Sequence, residues 1–263
     1  MSGTVMAEVD GGVGIVTLNC PERHNAFDDV LVADLTEALR DAERDDAVRI
    51  VVLSSTGKSF CAGADLNWMQ RAAGYGEDEN LRDARNLARL LRSLNELAKP
   101  TIARVQGAAY GGGVGLIAAC DIAIATFEAQ FALTEVKLGI IPAVISPYVI
   151  AAIGERKARR YMLSAERFSA SEAYRIGLLH EIVPSERELD EAIGELVDAL
   201  LACGPQAQAE AKDLILNVAG RPITDAVVAD TAHRITRVRA SREGREGMSA
   251  FLEKRKPVWV AKD

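Results

Sequence analysis

Apolar positions in the first half of the chain fall into short runs separated by longer amphipathic stretches. Gly14-Ile15-Val16-Thr17-Leu18 reads as a strand, and Asp28 to Asp45 as a helix carrying Val30, Leu31, Leu35 and Leu39 on one face. Ile50 to Ser54 is apolar enough for a buried strand. Asp78 to Leu97 repeats leucine at helical spacing through Leu81, Leu87, Leu90, Leu91, Leu94 and Leu97. A strand at Thr101 to Val105, a helix at Gly112 to Cys120 and a strand at Ile122 to Thr126 continue the alternation, which is that of an α/β protein. The intervals are too irregular for a barrel of eight equal units.

The second half turns helical. Ser169-Ala170-Ser171-Glu172 and Ser185-Glu186-Arg187-Glu188 have the spacing of capping boxes, so each predicts a helix start. Further helices are expected near Pro205–Val218, Thr224–Ala240 and Glu243–Lys254. The division implied is a sheet-containing core over residues 1–200 and a helical region over 201–263.

Two small-residue loops each follow a run of strand-forming residues. Ser59-Phe60-Cys61-Ala62-Gly63-Ala64-Asp65-Leu66 comes after Arg49 to Ser54, and Gly107-Ala108-Ala109-Tyr110-Gly111-Gly112-Gly113-Val114-Gly115 after Thr101 to Val105. Small residues let a ligand approach the backbone, and two such loops can aim two peptide N–H groups at one oxygen. Gly112 stands where a helix should begin, so its N–H lacks an intrahelical acceptor and the helix dipole favours an anion there. Glu135 lies between the apolar strings Phe131–Leu133 and Val136–Ile141. Desolvation there should raise its pKa and let it hold a proton near neutrality. Taken by itself, Glu135 fits an exposed strand-end glutamate paired with Lys137 better.

Composition narrows the field. A formal net charge of -7 argues against general nucleic-acid affinity, although the stretch from His233 to Lys256 is locally basic. The N-terminus has no basic segment leading into an apolar one, and the longest apolar runs fall short of a membrane span, so a cytoplasmic protein is expected. Cys20, Cys61, Cys120 and Cys203 are scattered, and His24, His180 and His233 lack ligand spacing, so no metal site is expected. Cys61 has no histidine near it in sequence, which disfavours a nucleophile.

Together with Phe131-Ala132-Leu133-Thr134-Glu135, the two loops make the chain resemble the enoyl-CoA hydratase/isomerase (crotonase) superfamily, over essentially residues 10 to 257. The resemblance implies an α/β fold of the crotonase type, a spiral of ββα units followed by a C-terminal helical region that trimerises, and hence a homotrimer or homohexamer. It implies an α,β-unsaturated acyl-CoA thioester as substrate, with coenzyme A arriving on the substrate and no permanently bound cofactor. It places the thioester oxyanion between the N–H groups of Ala62 and Gly112 and assigns proton transfer at the α-carbon side to Glu135. For CoA it points to Arg23, Asn25 and Ala26, to Ala62, Gly63, Ala64, Asp65 and Leu66, and to Phe251 and Lys254 of the last helix, which in the family reach a neighbouring subunit's CoA.

The sequence departs from the family at Gly115, where hydratases of simple enoyl thioesters carry a second glutamate that helps activate water. Either Glu135 works alone, as in members that shift a double bond, or another group orients the water, and the substrate's own carboxylate would serve. The run Ala143-Val144-Ile145-Ser146-Pro147-Tyr148-Val149-Ile150 and the following Gly154-Glu155-Arg156-Lys157-Ala158-Arg159-Arg160-Tyr161 look like bacterial methylglutaconyl-CoA and isohexenylglutaconyl-CoA hydratases, enzymes of leucine and acyclic-terpene breakdown. That resemblance implies a branched enoyl thioester with a second carboxylate. Two rivals stand beside it. Gly113-Val114-Gly115-Leu116-Ile117-Ala118 fits a loose dinucleotide fingerprint, although the gap from Val105 is too long for its tight turn. A non-catalytic or RNA-binding protein of this fold would use the basic C-terminal stretch instead.

Overall fold

The computed structural model describes residues 3–260. Its larger sheet contains, in spatial order, β1 (Val5–Asp10), β2 (Val13–Leu18), β3 (Ile50–Ser55), β5 (Thr101–Val105), β7 (Ile122–Thr126) and β10 (Glu181–Val183). β1 and β2 pair antiparallel, and every later pairing is parallel. The smaller sheet contains β4 (Ser59–Cys61), β6 (Ala108–Tyr110), β8 (Gln130–Ala132) and β9 (Phe168–Ser169), with β4, β6 and β8 parallel and β9 antiparallel to β8. The helices are α1 (Asp29–Arg44), α2 (Leu66–Ala72), α3 (Glu77–Glu96), α4 (Gly112–Ala119), α5 (Ser146–Ile153), α6 (Glu155–Ser164), α7 (Ala170–Ile176), α8 (Glu186–Leu201), α9 (Pro205–Val218), α10 (Asp225–Ala240) and α11 (Arg242–Leu252).

Strand alternation decides which layer each side chain enters. On one face of the large sheet Val51 and Leu53 join Val16 and Leu18 in a core with Leu31, Leu35 and Leu39 of α1 and Leu90, Leu91 and Leu94 of α3. On the other face Ile50, Val52, Ile102, Ile124 and Val183 meet Leu189 and Ile193 of α8. β3 is buried along its whole length, as a central strand covered on both faces must be.

Three times the chain finishes a strand of the large sheet and steps into the small one: β3 to β4, β5 to β6, β7 to β8. These crossings strip backbone groups of sheet partners, and buried polar side chains replace them. Gln106 Nε2 donates to the carbonyls of Ser55 (3.1 Å), Gly57 (3.0 Å) and Ser59 (3.3 Å), while Thr126 Oγ1 donates to the Gln106 carbonyl at 2.9 Å. Asn25 adds bonds from Nδ2 to the carbonyls of Thr56 (2.8 Å) and Ser59 (2.9 Å). Gly107 makes the second crossing possible, because a Cβ there would lie 2.1 Å from the Lys58 carbonyl oxygen.

The long elements follow the apolar periodicity closely, and Ser169 and Ser185 cap α7 and α8 as their spacing predicts. The small sheet does not follow it. Ser59–Cys61 and Ala108–Tyr110, read from sequence as parts of loops, are strands. The helical segment after α8 packs back on the sheet edge through Arg49 Nη2, which donates to the Cys203 carbonyl at 2.6 Å, and through a 2.8 Å ion pair of Lys212 with Asp121. No described helix is long and apolar enough to cross a membrane.

Candidate active site

The parallel strands β4, β6 and β8 end on the same edge of the small sheet. Their continuations are Ala62-Gly63-Ala64, Gly111-Gly112-Gly113 and Leu133-Thr134-Glu135. A strand only three residues long thus delivers each group, and the pairing of β4 with β6 and of β6 with β8 fixes their spacing.

The two small-residue loops touch through their backbones. A Cβ on Gly113 would stand 2.4 Å from the Cys61 carbonyl oxygen, and one on Gly63 would stand 3.0 Å from the Tyr110 carbonyl oxygen. Phe27 sits between the loops. Its ring would be 2.6 Å from a Cβ on Gly112, and its backbone forms a parallel bridge with Ala64. In that bridge Phe27 N–H donates to the Gly63 carbonyl (2.6 Å), and Asp65 N–H donates to the Phe27 carbonyl (2.8 Å). A strand residue's N–H points opposite to those of its neighbours, so Ala64 N–H faces away from Phe27, with no acceptor among the described residues. Phe27 was not singled out from sequence. A lone phenylalanine in His24-Asn25-Ala26-Phe27 carries no periodic signal.

This geometry corrects the assignment of Ala62 as an oxyanion donor. Ala62 N–H already donates to the His24 carbonyl at 3.0 Å, so the first loop's uncommitted donor is two residues further on, at Ala64. Gly112 keeps its expected place. It opens α4 after Gly111 (φ 50°), and its N–H has no acceptor within the helix. The left-handed turn at Gly111 favours glycine, and a Cβ there would lie 3.0 Å from Glu135 Oε1. Ala64 N–H, Gly112 N–H and the Glu135 carboxylate therefore converge on one edge.

Glu135 opens a short 3-10 turn, Glu135–Leu138. Its Oε2 is buried without a hydrogen-bond partner, and no ion pair joins it to Lys137 among the described residues. Burial pushes its pKa above the ordinary value near 4.5, only partly offset by a bond from its own N–H. One apolar string expected to frame it is buried, Phe131–Leu133. The other is not, since Leu138, Ile140 and Ile141 are exposed in the single chain.

Gly115 lies one turn further along α4 than Gly112, and Ile145 occupies the space a side chain there would need. A Cβ on Gly115 would be 2.3 Å from Ile145 Cγ2, and Ile145 is itself buried. A lipophilic wedge stands where a second carboxylate would project.

The residues expected to hold CoA fall into three groups. Leu66 is exposed beside Ala64, as are Phe251 and Lys254 at the end of α11. Arg23 is ion-paired with Asp28 and lies 3.8 Å from Asp65, and Asp65 caps α2 by accepting from Asn67 N (2.9 Å) and Trp68 N (3.0 Å). Asn25 and Ala26 are buried, and the Asn25 amide is fully spent bracing the loop, with Oδ1 also accepting from Cys20 N at 2.8 Å. The Asn25 side chain therefore holds the loop, and only the backbone of this turn is left to meet a ligand. Cys61 faces the core, where burial pushes its thiol up to about 12, which leaves it no nucleophilic role. Trp68 is also buried in the core. The basic C-terminal stretch is partly neutralised within the chain: Arg234 pairs with Asp213 and Asp230, Arg237 with Glu210, and Arg255 with Glu246 and Glu253. The dinucleotide fingerprint fails structurally, because β6, in the other sheet, intervenes between β5 and α4.

Comparison with known proteins gives this geometry its context. The profile of the enoyl-CoA hydratase/isomerase family matches residues 8–262. A Thermus thermophilus protein named as an enoyl-CoA hydratase is 37% identical over 254 residues, which is 96% of this chain and 99% of that protein. The 2,3-dehydroadipyl-CoA hydratase of Escherichia coli is 33% identical over 92% of this chain and 93% of its own. The crystal structure of an enoyl-CoA hydratase from Shewanella pealeana superposes with a TM-score of 0.95 at 46% identity, covering 97% of this chain and 96% of that one. With two uncommitted N–H donors beside a desolvated carboxylate on a fold shared along its whole length, this chain belongs to the enoyl-CoA hydratase/isomerase family, a family of enzymes acting on acyl-CoA thioesters.

Proposed function

We propose that the chain reversibly hydrates an α,β-unsaturated acyl-CoA whose acyl group carries a second carboxylate, of the 3-methylglutaconyl-CoA type. The observation that carries this reading is the single carboxylate of the site, with Ile145 filling the space beside Gly115. Hydration needs one group to give a proton to the α-carbon and another to accept a proton from water. Glu135 supplies the first role, and the substrate's own carboxylate can take the second. Resemblance to the glutaconyl hydratases and similarity to a hydratase whose named substrate is a dicarboxylic acyl-CoA, 2,3-dehydroadipyl-CoA, support this reading.

In this reaction the water oxygen bonds to the β-carbon and the π pair moves onto the thioester oxygen as an enolate. That oxygen accepts from Ala64 N–H and Gly112 N–H, donors already in place, so the developing charge needs no reorganisation. The α-carbon then takes the proton of Glu135, which burial helps keep protonated. In the reverse direction Glu135 removes that proton, and the β-hydroxyl takes back the proton held by the substrate's carboxylate and leaves as water. The whole assembles as a trimer or pair of trimers, with the helical region that begins at residue 201 forming the interface. The exposed apolar side chains of Ile141, Phe251 and Leu252 are suited to such burial, and Phe251 and Lys254 would then lie near a neighbouring subunit's CoA.

The lone carboxylate also favours a second reading, a double-bond isomerase in which Glu135 moves one proton between two carbons and no water is needed. The test follows the enoyl-thioester absorbance and product mass for 3-methylglutaconyl-CoA and crotonyl-CoA in parallel. Expected is hydration of the branched diacid derivative well above that of crotonyl-CoA. A product of unchanged mass with a displaced double bond transfers the assignment to the isomerase, and hydration of crotonyl-CoA alone overturns the dicarboxylate reading.

A further inference from the structure

The small sheet has a fourth strand that the three catalytic loops leave unused. β9 runs antiparallel to β8, with Phe131 opposite Phe168. The end at which β9 begins is therefore the end at which β4, β6 and β8 finish, and Arg167, the residue just before β9, stands at the edge occupied by Gly112 and Glu135. The register across the sheet is Tyr110 to Ala132 and, one step on from the Phe131–Phe168 pair, Ala132 to Arg167. Neighbours in register share a face. Ala132 between them is too short to separate the outer two, and the Arg167 guanidinium lies over the Tyr110 ring with its carbon 5.4 Å from the centroid. Tyr110 is the last residue of β6, immediately before Gly111 and Gly112.

Arg167 also lacks a carboxylate. The acid beside it, Glu166, is taken by Arg160 at 2.7 Å and accepts from Ser164 Oγ at 3.2 Å. No ion pair to Arg167 occurs among the described residues; Arg156, Arg239 and Arg242 also lack one, and what sets Arg167 apart is its contact with Tyr110 at the edge of the site. A planar cation stacked on an aromatic ring, exposed on one side and without an acid, is prepared for a carboxylate from outside.

We infer that Arg167, oriented by Tyr110, is the specificity residue that receives the distal carboxylate of the acyl group. The inference rests on the dicarboxylate reading above and adds what that reading lacks, a cation in the protein to hold the second carboxylate. It also gives Ala132 a role, since a larger side chain there would part Arg167 from Tyr110.

Binding of unreactive saturated thioesters tests this apart from the reaction. The affinities of glutaryl-CoA and butyryl-CoA, which differ by one distal carboxylate, are measured by calorimetry on the full chain and on Arg167→Met, Arg167→Lys and Tyr110→Leu. The parent protein should prefer glutaryl-CoA by about tenfold or more, as a charge-assisted hydrogen bond provides. Arg167→Met should abolish the preference, Arg167→Lys should restore part of it, and Tyr110→Leu should reduce it through a less fixed guanidinium. Equal weakening of both thioesters by Arg167→Met would make Arg167 a CoA contact and overturn the inference. So would a preference that survives the substitution. No preference in the parent would remove the dicarboxylate reading itself, whereas loss of the preference only in Arg167→Met upholds the inference even if the catalysed step proves to be isomerisation.

Discussion

The two sheets of this protein are built from strands of different length for different purposes. The large sheet has strands of mostly five or six residues, the central ones apolar on both faces and locked between α1 and α3 on one side and α8 on the other. The small sheet has strands of two or three residues, each burying only one or two apolar side chains, and its exits carry Ala64, Gly112 and Glu135. Long strands earn stability by burial. Short ones end early, and each ending frees backbone N–H groups that a longer strand would have paired. The small sheet is thus a device for exposing donors in fixed positions, held by a network centred on Gln106 and Asn25 and by the few side chains it buries in the core, Phe60, Phe131 and Phe168.

The strongest test of that division is a pair of substitutions with reciprocal effects. Glu135→Gln should lower kcat by about 100-fold to 10,000-fold, with the affinity for CoA thioesters and the thermal midpoint little affected at acid pH. Leu53→Ala, in the large sheet, should cost about 2–5 kcal/mol of unfolding free energy in denaturant titrations while leaving kcat near the parent value. Comparable kcat losses in both variants would mean that the sheets do not divide the work.

A second pair sharpens the comparison at the wedge. Gly115→Glu alone should lose both stability and activity, because its Cβ would meet Ile145 Cγ2 at 2.3 Å in a helix packed on the core. Adding Ile145→Ala should restore folding and increase hydration of crotonyl-CoA relative to the single variant, measured at equal concentrations of folded protein. A single variant as stable as the parent would show that Ile145 yields freely and does not exclude the second carboxylate.

The smallest effect expected is a pH dependence of stability. Burial raises the folded-state pKa of Glu135 above the ordinary value near 4.5. Below that ordinary value the group is neutral in both folded and unfolded chains and costs nothing. As pH rises through the folded pKa the buried carboxylate ionises, and stability is lost relative to a neutral side chain. Glu135→Gln should therefore be more stable than the parent at pH 8, by a margin that vanishes toward pH 4. Melting curves across that range that stay parallel would contradict the desolvation argument.

Legibility in the sequence follows much the same line as the two sheets, although the exposed edge strand β1 and the helices α5 and α6 also went unread. The helix at Asp29–Arg44 and the strand at Thr101–Val105 were readable because burial of one face over several turns or residues imposes a period. The strands at Ser59–Cys61 and Ala108–Tyr110 were not, since three residues cannot display a period. Glu135 and Gly112 were visible as a carboxylate in an apolar frame and a glycine at a helix start. Ala64 was misplaced by two positions, because which peptide of Ala62-Gly63-Ala64 keeps its N–H free depends on His24 and Phe27, nearly forty residues earlier in the chain. The wedge of Ile145 against Gly115 and the stack of Arg167 on Tyr110 were equally hidden, as each joins segments that the chain brings together only after both sheets form.

The sequence alone determined the order and type of most of the long elements and the family to which the chain belongs. Local periodicity and a contiguous run of small residues are properties of neighbouring positions, readable before any folding. Tertiary structure decided which amides stay unpaired, which carboxylate is left without a companion and which aromatic ring Arg167 lies over. Those are questions of what lies across a gap in space, and the spacing of residues along a chain does not encode them.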